Sequence, residues 1–101
     1  MAERNFNVSP DASVCVMRLF VTGASPNSAR AIINLKEILE THLKDKYELE
    51  IIDIHQQPEK AALEQIIALP LLIKVSPGIE RRLIGDMSNK AKVLKGLGLN
   101  A

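Results

Sequence analysis

The sequence has 101 residues, the size of one small domain. A formal net charge of +1 argues against a polyanion-binding protein, and one Tyr, two Phe and no Trp argue against base stacking on nucleic acid. The single cysteine, Cys15, excludes an internal disulfide, a CxxC redox pair and a structural zinc site built on several cysteines.

No apolar run reaches the length of a membrane span, so no membrane partner is expected. Residues 1–12 are polar and lack a signal-peptide core. We therefore expect a flexible lead-in at 1–12, a single domain at 13–101 and a cytoplasmic location.

The first predicted element is a buried central strand. Val14 to Val21 is apolar on both faces except at Arg18, as in a strand with neighbours on each side. Gly23 ends it, and Ser25 and Pro26 are suited to the N-cap and first position of a helix.

Apolar residues then recur at helical spacing and predict a helix from Pro26 to about Leu43. Tyr47 to Ile54 predicts a second strand, whose alternating first half is typical of an edge or half-exposed position. Two parallel strands joined by a helix form a right-handed βαβ unit.

The carboxyl-terminal half predicts shorter elements. A helix is expected from Pro58 to Leu69, followed by a strand at 71–75, a turn at 76–78 and a hairpin strand at 79–84. Ser88 is the predicted N-cap of a last helix that runs through Leu97. The order βαβαββα is that of a thioredoxin-like α/β fold, which keeps its reactive cysteines at the first strand–helix junction.

Candidates for chemistry are few. Cys15 lies far from that junction and is predicted to be buried and inert. The loop GASPNS at 23–28 favours helix capping over phosphate binding because it carries no Walker lysine and no GxGxxG. His42 and His55 have no partner at metal-ligand spacing, so no metal is predicted.

Pro70 precedes a predicted strand, where thioredoxin-like folds carry a cis proline. The intrinsic bias of an X-Pro bond toward trans is only about 0.5–1 kcal/mol, so a cis bond at Leu69–Pro70 costs little, and we expect it in the thioredoxin-like fold. A trans proline that ends the preceding helix is the alternative.

Arg81 and Arg82 are adjacent, and Lys74 lies one strand back. Neighbours on a strand point to opposite faces, so at most one arginine shares a face with Lys74. Either these residues form a small basic patch for an acidic partner, or they are ordinary solvated edge charges.

Four blocks in the same order resemble the KaiB family. They are LFVTGASPNSARA, YELEIIDI with a proline following, ALPLL, and RRLIGDMSNKAKVLKGLGL. The sensory domain of the clock kinase SasA is similar, but there a kinase follows.

The resemblance implies a non-enzymatic regulator without a cofactor. KaiB proteins bind the ATPase ring KaiC and modulate its phosphorylation or signalling state. They then capture KaiA and compete with SasA. They have two folds, a tetrameric ground state and a thioredoxin-like monomer that binds KaiC, and the carboxyl-terminal half exchanges helix and strand between them.

Carried over by position, the resemblance marks five candidate partner contacts: Asn27, Arg30, Lys74, Arg81 and Arg82. The turn residues available to a switching carboxyl-terminal half are Pro70, Pro77, Gly78, Gly96 and Gly98.

Three departures modify these expectations. Gly98 stands where the family commonly has an acid, and the sequence ends at Ala101 without the acidic tail of clock members, so we predict a bias toward the thioredoxin-like fold. Glu50, beside Glu48, stands where the KaiA-docking strand commonly has a lysine, which argues against a KaiA-like partner.

Two other functions fit the same elements. The chain could be a thioredoxin-fold oxidoreductase or transferase lacking the CxxC pair, or a generic sensor or dimerisation module that never meets KaiC.

Overall fold

The structure, a computed structural model, describes residues 14–23, 25–66 and 68–99. The predicted lead-in at 1–12 and the end at Ala101 lie outside those residues. The elements are, in chain order, β1 (Cys15–Val21), α1 (Pro26–His42), β2 (Tyr47–Asp53), α2 (Pro58–Leu63), β3 (Leu71–Ser76), β4 (Arg81–Ile84) and α3 (Lys90–Gly96). The predicted βαβαββα order is confirmed.

One four-stranded sheet has the order β2-β1-β3-β4. Strand β1 pairs parallel to β2 and antiparallel to β3, and β4 pairs antiparallel to β3. The predicted central strand is thus confirmed, and β2 and β4 form the two sheet edges. No helix in the described ranges is long and apolar enough to span a membrane.

The alternation of β1 creates two apolar clusters on opposite faces of the sheet. The first cluster joins the odd-numbered residues of β1 to the buried sides of α1 and α3, with Leu35, Leu39 and Leu94 among its members. The second cluster is smaller and consists of Phe20, Ile52, Leu71 and Ile73. Helix α1 begins as predicted, since the Ser25 hydroxyl accepts the Ser28 N–H and Pro26 occupies the first turn.

Helix α2 ends at Leu63, six residues before the predicted end at Leu69. The backbone turns left-handed at Gln65 (φ 54°), where the Gln65 N–H donates to Ala62 O and the Ile66 N–H to Ala61 O. These bonds form a Schellman motif with glutamine where glycine is usual. The turn directs Ile66 toward the second cluster.

Strand β4 is also shorter than the predicted 79–84, because pairing with β3 begins only at Lys74 and Arg81. The Leu69–Pro70 bond is cis, as predicted, and so is Ser76–Pro77. The prediction that Ser88 caps the last helix is wrong. The Ser88 N–H donates to Asp86, and Asn89 is the N-cap, accepting the Lys92 N–H at 3.1 Å.

Gly98 closes α3 with the second Schellman motif. Its φ is +79°, its N–H donates to Lys95 O, and the Leu99 N–H donates to Leu94 O at 2.8 Å. Glycine adopts this left-handed conformation with less strain than any other residue.

Gly98→Asp is therefore expected to lower the free energy of unfolding by about 1–2 kcal/mol, from left-handed strain and from an acid at a helix carboxyl terminus. Urea unfolding measures the loss. Gly98→Asn, which has no charge and tolerates this conformation, should lose less. Equal stability of Gly98→Asp and the parent would contradict the capping role of Gly98.

Candidate functional site

The junction between β1 and α1 carries serine hydroxyls that are occupied by the backbone. Ser28 is fully buried, and its Oγ accepts the Thr22 N–H at 3.0 Å. Ser25 Oγ accepts the Ser28 N–H at 3.2 Å. Both hydroxyls hold the loop and the start of the helix, so neither is presented as a nucleophile.

The loop after β4 lies at the same end of the sheet. The Gly85 N–H donates to the carbonyl of cis Pro70 at 3.0 Å. Asn34, on α1, donates its amide to Asp86 O at 2.9 Å. The 85–89 loop and the first turns of α1 therefore lie side by side and form one surface, with Pro70 buried beneath the loop.

Two predicted contact residues are joined on this surface. Arg30 Nε donates to Asp86 Oδ2 at 3.4 Å, and its guanidinium also donates to Asn27 Oδ1. All three side chains are accessible to solvent. Hydrogen bonds from Ser88, reinforced by Arg30, hold the pKa of Asp86 below its ordinary value.

Because the folded-state pKa is lowered, Asp86 stabilises the fold above its unfolded pKa of about 3.9, and this contribution is lost as the pH falls through the folded value. Asp86→Asn should therefore flatten the acid side of the stability–pH curve, measured by thermal unfolding between about pH 2 and 5. The matched variant Glu37→Gln, on the exposed side of α1, should keep the steeper parental curve. Parallel curves for Asp86→Asn and the parent would contradict this.

The other predicted contacts lie elsewhere. Lys74 pairs with Arg81 across β3 and β4, on the face that carries α1 and α3. Lys74 is only 7% exposed, and its Nζ donates to Pro77 O at 2.5 Å. Arg81 is exposed and forms no ion pair with another described residue. It is thus the accessible cation of the pair.

Arg82 points to the opposite face, as the alternation along a strand requires. Its guanidinium donates to Glu64 O at 2.9 Å and contacts the carboxylates of Glu64 and Glu80 at 3.3 Å each. The structure therefore groups Asn27 with Arg30 and Lys74 with Arg81, and places Arg82 apart.

Cys15 is buried at the start of β1, as predicted, at the end of the strand away from the junction. Burial raises the pKa of its thiol, and the Lys74 ammonium opposes only part of that rise. A raised pKa lowers the thiolate fraction at neutral pH, so the thiol is poorly suited to redox chemistry.

Among the described residues, no group of three His, Cys, Asp or Glu side chains could hold a metal ion. The 85–89 loop and α3 border an open cleft of about 200 Å³, which includes Met87, Ser88 and Lys92. This cleft is an open surface depression, and its charged lining residues are Asp86 and Lys92.

Sequence reasoning missed two acidic partners. Asp86 holds Arg30, and Glu64 binds both Arg18 and Arg82. Their partners lie 18 to 56 positions away, so no local spacing signals them. The Gly-Asp turn at 85–86 was the one available cue for Asp86.

The fold matches solved structures of two kinds. The N-terminal domain of Synechococcus elongatus SasA superposes with a TM-score of 0.67 at 26% identity, covering 86% of this chain and 87% of that domain. Thioredoxin of Fasciola hepatica superposes with a TM-score of 0.70 at 17% identity over 85% and 80% of the two chains, which shows the fold alone.

Sequence comparison identifies the family. The KaiB domain model matches residues 18–99. "Circadian clock oscillator protein KaiB" of Prochlorococcus marinus subsp. pastoris is 48% identical over 84 residues, covering 83% of this chain and 78% of the relative. "Circadian clock protein KaiB3" of Synechocystis is 46% identical over 89 residues, covering 88% and 87%. Since the matched domain runs from β1 to the end of α3 in a thioredoxin-like arrangement, this chain belongs to the KaiB family of circadian clock proteins.

Proposed function

We propose that the chain is a non-enzymatic regulator that binds a KaiC-type ATPase ring and modulates its phosphorylation or signalling state in the cytoplasm. The observation that carries this proposal is the KaiB domain across 18–99, folded like a thioredoxin, with backbone-capping Ser25 and Ser28 at the junction. Such a scaffold acts through its surface, because the groups at its usual reactive position are already engaged.

The proposed contact residues are those whose polar atoms reach solvent. Asn27 and Arg30 form a hydrogen-bonded, exposed pair of side chains beside the 85–89 loop. Arg81 presents a cation at the β4 edge. Lys74 supports the Arg81 position by holding the neighbouring 76–78 turn through Pro77 O. The partner surface would be acidic, which matches these exposed cations.

The proposed switching segment includes Pro70, Pro77, Gly78, Gly96 and Gly98. Glycine fits best at position 96 of the thioredoxin-like arrangement, because a Cβ on Gly96 would lie 2.6 Å from Leu83 Cδ1. Gly78 and Gly98 have φ of +76° and +79°. These requirements support a bias of this chain toward the thioredoxin-like arrangement over a tetramer.

A SasA-like kinase is a proposed competitor, since the SasA domain shares the fold at 26% identity. A KaiA-like partner at β2 is less favoured. There Glu50 is engaged by Lys60 at 2.7 Å, and Glu48 is exposed, so the edge strand presents negative charge. A partner strand suited to a lysine at this edge would meet like charge.

The test is co-elution with several purified KaiC-type ATPases in ATP, by size-exclusion chromatography with light scattering. The proposal predicts a ring-sized complex and a free chain that elutes as a monomer. Arg30→Ala should weaken the complex, and the exposed Glu37→Gln should not. If the chain co-elutes with none of the ATPases tested, the proposal is overturned.

An insulin-reduction assay separates the enzymatic alternative. We expect no turnover by the parent chain or by Cys15→Ala, because the thiol is buried and distant from the junction. Turnover by the parent that Cys15→Ala abolishes would favour the oxidoreductase, with the Cys15 thiol as the reductant.

A further inference from the structure

Six side chains of alternating charge cross the face of the sheet that carries the second cluster. In spatial order they are Lys60, Glu50, Arg18, Glu64, Arg82 and Glu80. The N···O distances between successive members are 2.7, 3.6, 3.2, 3.3 and 3.3 Å. We call this row the charge ladder.

Glu64 is the centre of the ladder. Its two carboxylate oxygens contact Arg18 on β1 and Arg82 on β4, and its carbonyl accepts a further hydrogen bond from Arg82. It is also the C-cap of α2, so the end of this helix is fastened to two strands at once. The side chain of Glu64 is 26% exposed, less than any other carboxylate of the ladder.

Helix α2 has little apolar attachment of its own. None of its six residues is buried, and Leu63 is 81% exposed. The apolar residues that cover the second cluster are Ile54, Ile66 and Leu69, which flank the helix. The polar contacts of Lys60 and Glu64 therefore supply the described links between α2 and the strands.

We propose that the charge ladder is an electrostatic latch that holds α2 and Ile66 closed over the second cluster, with Glu64 as the positioning residue at its centre. Opening the latch exposes Phe20, Ile52, Leu71 and Ile73, an apolar surface on the face opposite α1 and α3. This inference is independent of the proposed ATPase partner.

Two physical properties make the latch releasable. Its ion pairs are partly exposed, and such pairs weaken in salt because the screening length falls from about 10 Å at 0.1 M to about 3 Å at 1 M. Helix α2 is also too short to be stable unless it is attached to the sheet. Loss of the ladder therefore releases the segment locally, while the first cluster keeps the sheet, α1 and α3 folded.

The test uses Glu64→Gln, which keeps the shape of the side chain and removes its charge. The readouts are protection of the Gln65 and Ile66 amides from hydrogen exchange, referenced to Leu72 in β3, and binding of the apolar dye ANS. Both amides donate to helix carbonyls, so they report closure of this segment. We expect protection to fall at least about fivefold in Glu64→Gln and ANS fluorescence to rise.

The matched control is Glu48→Gln. It removes the same charge from an exposed residue on the same face that makes no ion pair with another described residue. Its protection should stay within about twofold of the parent. The unaltered parent supplies the second measurement. When NaCl is raised from about 0.05 to about 1 M, the exchange protection of its Gln65 and Ile66 amides should fall, while that of the Leu72 amide should not change. Unchanged protection in both Glu64→Gln and high salt would overturn the latch, as would equal losses in Glu64→Gln and Glu48→Gln.

Discussion

Replacing Phe20 by alanine is expected to lower the free energy of unfolding by about 3–5 kcal/mol. Phe20 is fully buried and is the largest member of the second cluster. Because that cluster has only four buried residues, few neighbours can move into the space the ring leaves. A domain of this size has about 5–15 kcal/mol in total, so the variant approaches the limit of folding.

Urea unfolding at 25 °C measures the effect, with Phe20→Leu as the second variant should Phe20→Ala not fold. The leucine variant should lose less, because it fills most of the volume. The matched surface control is Leu63→Ala, whose side chain is 81% exposed and should change stability by less than about 0.5 kcal/mol. A Phe20→Ala loss as small as that of Leu63→Ala would show that the second cluster does not stabilise the fold.

The ends of two helices show how far the sequence predicts this fold. Helices α2 and α3 both end in a Schellman motif, at Gln65 and Gly98. Glycine is the usual left-handed residue, so the end of α3 is readable from the sequence. Glutamine gives no such signal, and the apolar residues after Gln65 extend the helical pattern. Helix α2 was consequently predicted six residues too long.

The candidate site also contains one feature that the sequence predicts and one that it does not. Alternation along β4 correctly placed only one of two adjacent arginines on the face of Lys74, since that separation follows from strand geometry alone. Whether each arginine is free or paired depends on Glu64, which reaches Arg82 from the end of another element. Local spacing carries no information on such a contact, so the different roles of Arg81 and Arg82 emerged only from the structure.

The difference between Arg81, which is unpaired among the described residues, and the ion-paired Arg82 gives a second prediction, which rests on the proposed ATPase partner. Arg81→Glu is expected to weaken the complex with a KaiC-type ATPase at least about thirtyfold, because a carboxylate facing an acidic surface costs several kcal/mol. The fold should be unaffected, since Arg81 is exposed and makes no ion pair with another described residue. Fluorescence anisotropy with labelled chain and ATP measures the affinity.

Two further variants test whether the loss of affinity is specific to Arg81. Lys44→Glu changes the net charge equally on an exposed residue after α1, and it should weaken binding far less. Arg82→Glu should instead lower the free energy of unfolding, because it places like charge against Glu64 and Glu80 in the ladder. If Arg81→Glu and Lys44→Glu weaken the complex equally, the attraction is a general effect of net charge. In that case Arg81 is not a specific contact, and the proposal that the β4 edge meets an acidic partner surface is wrong.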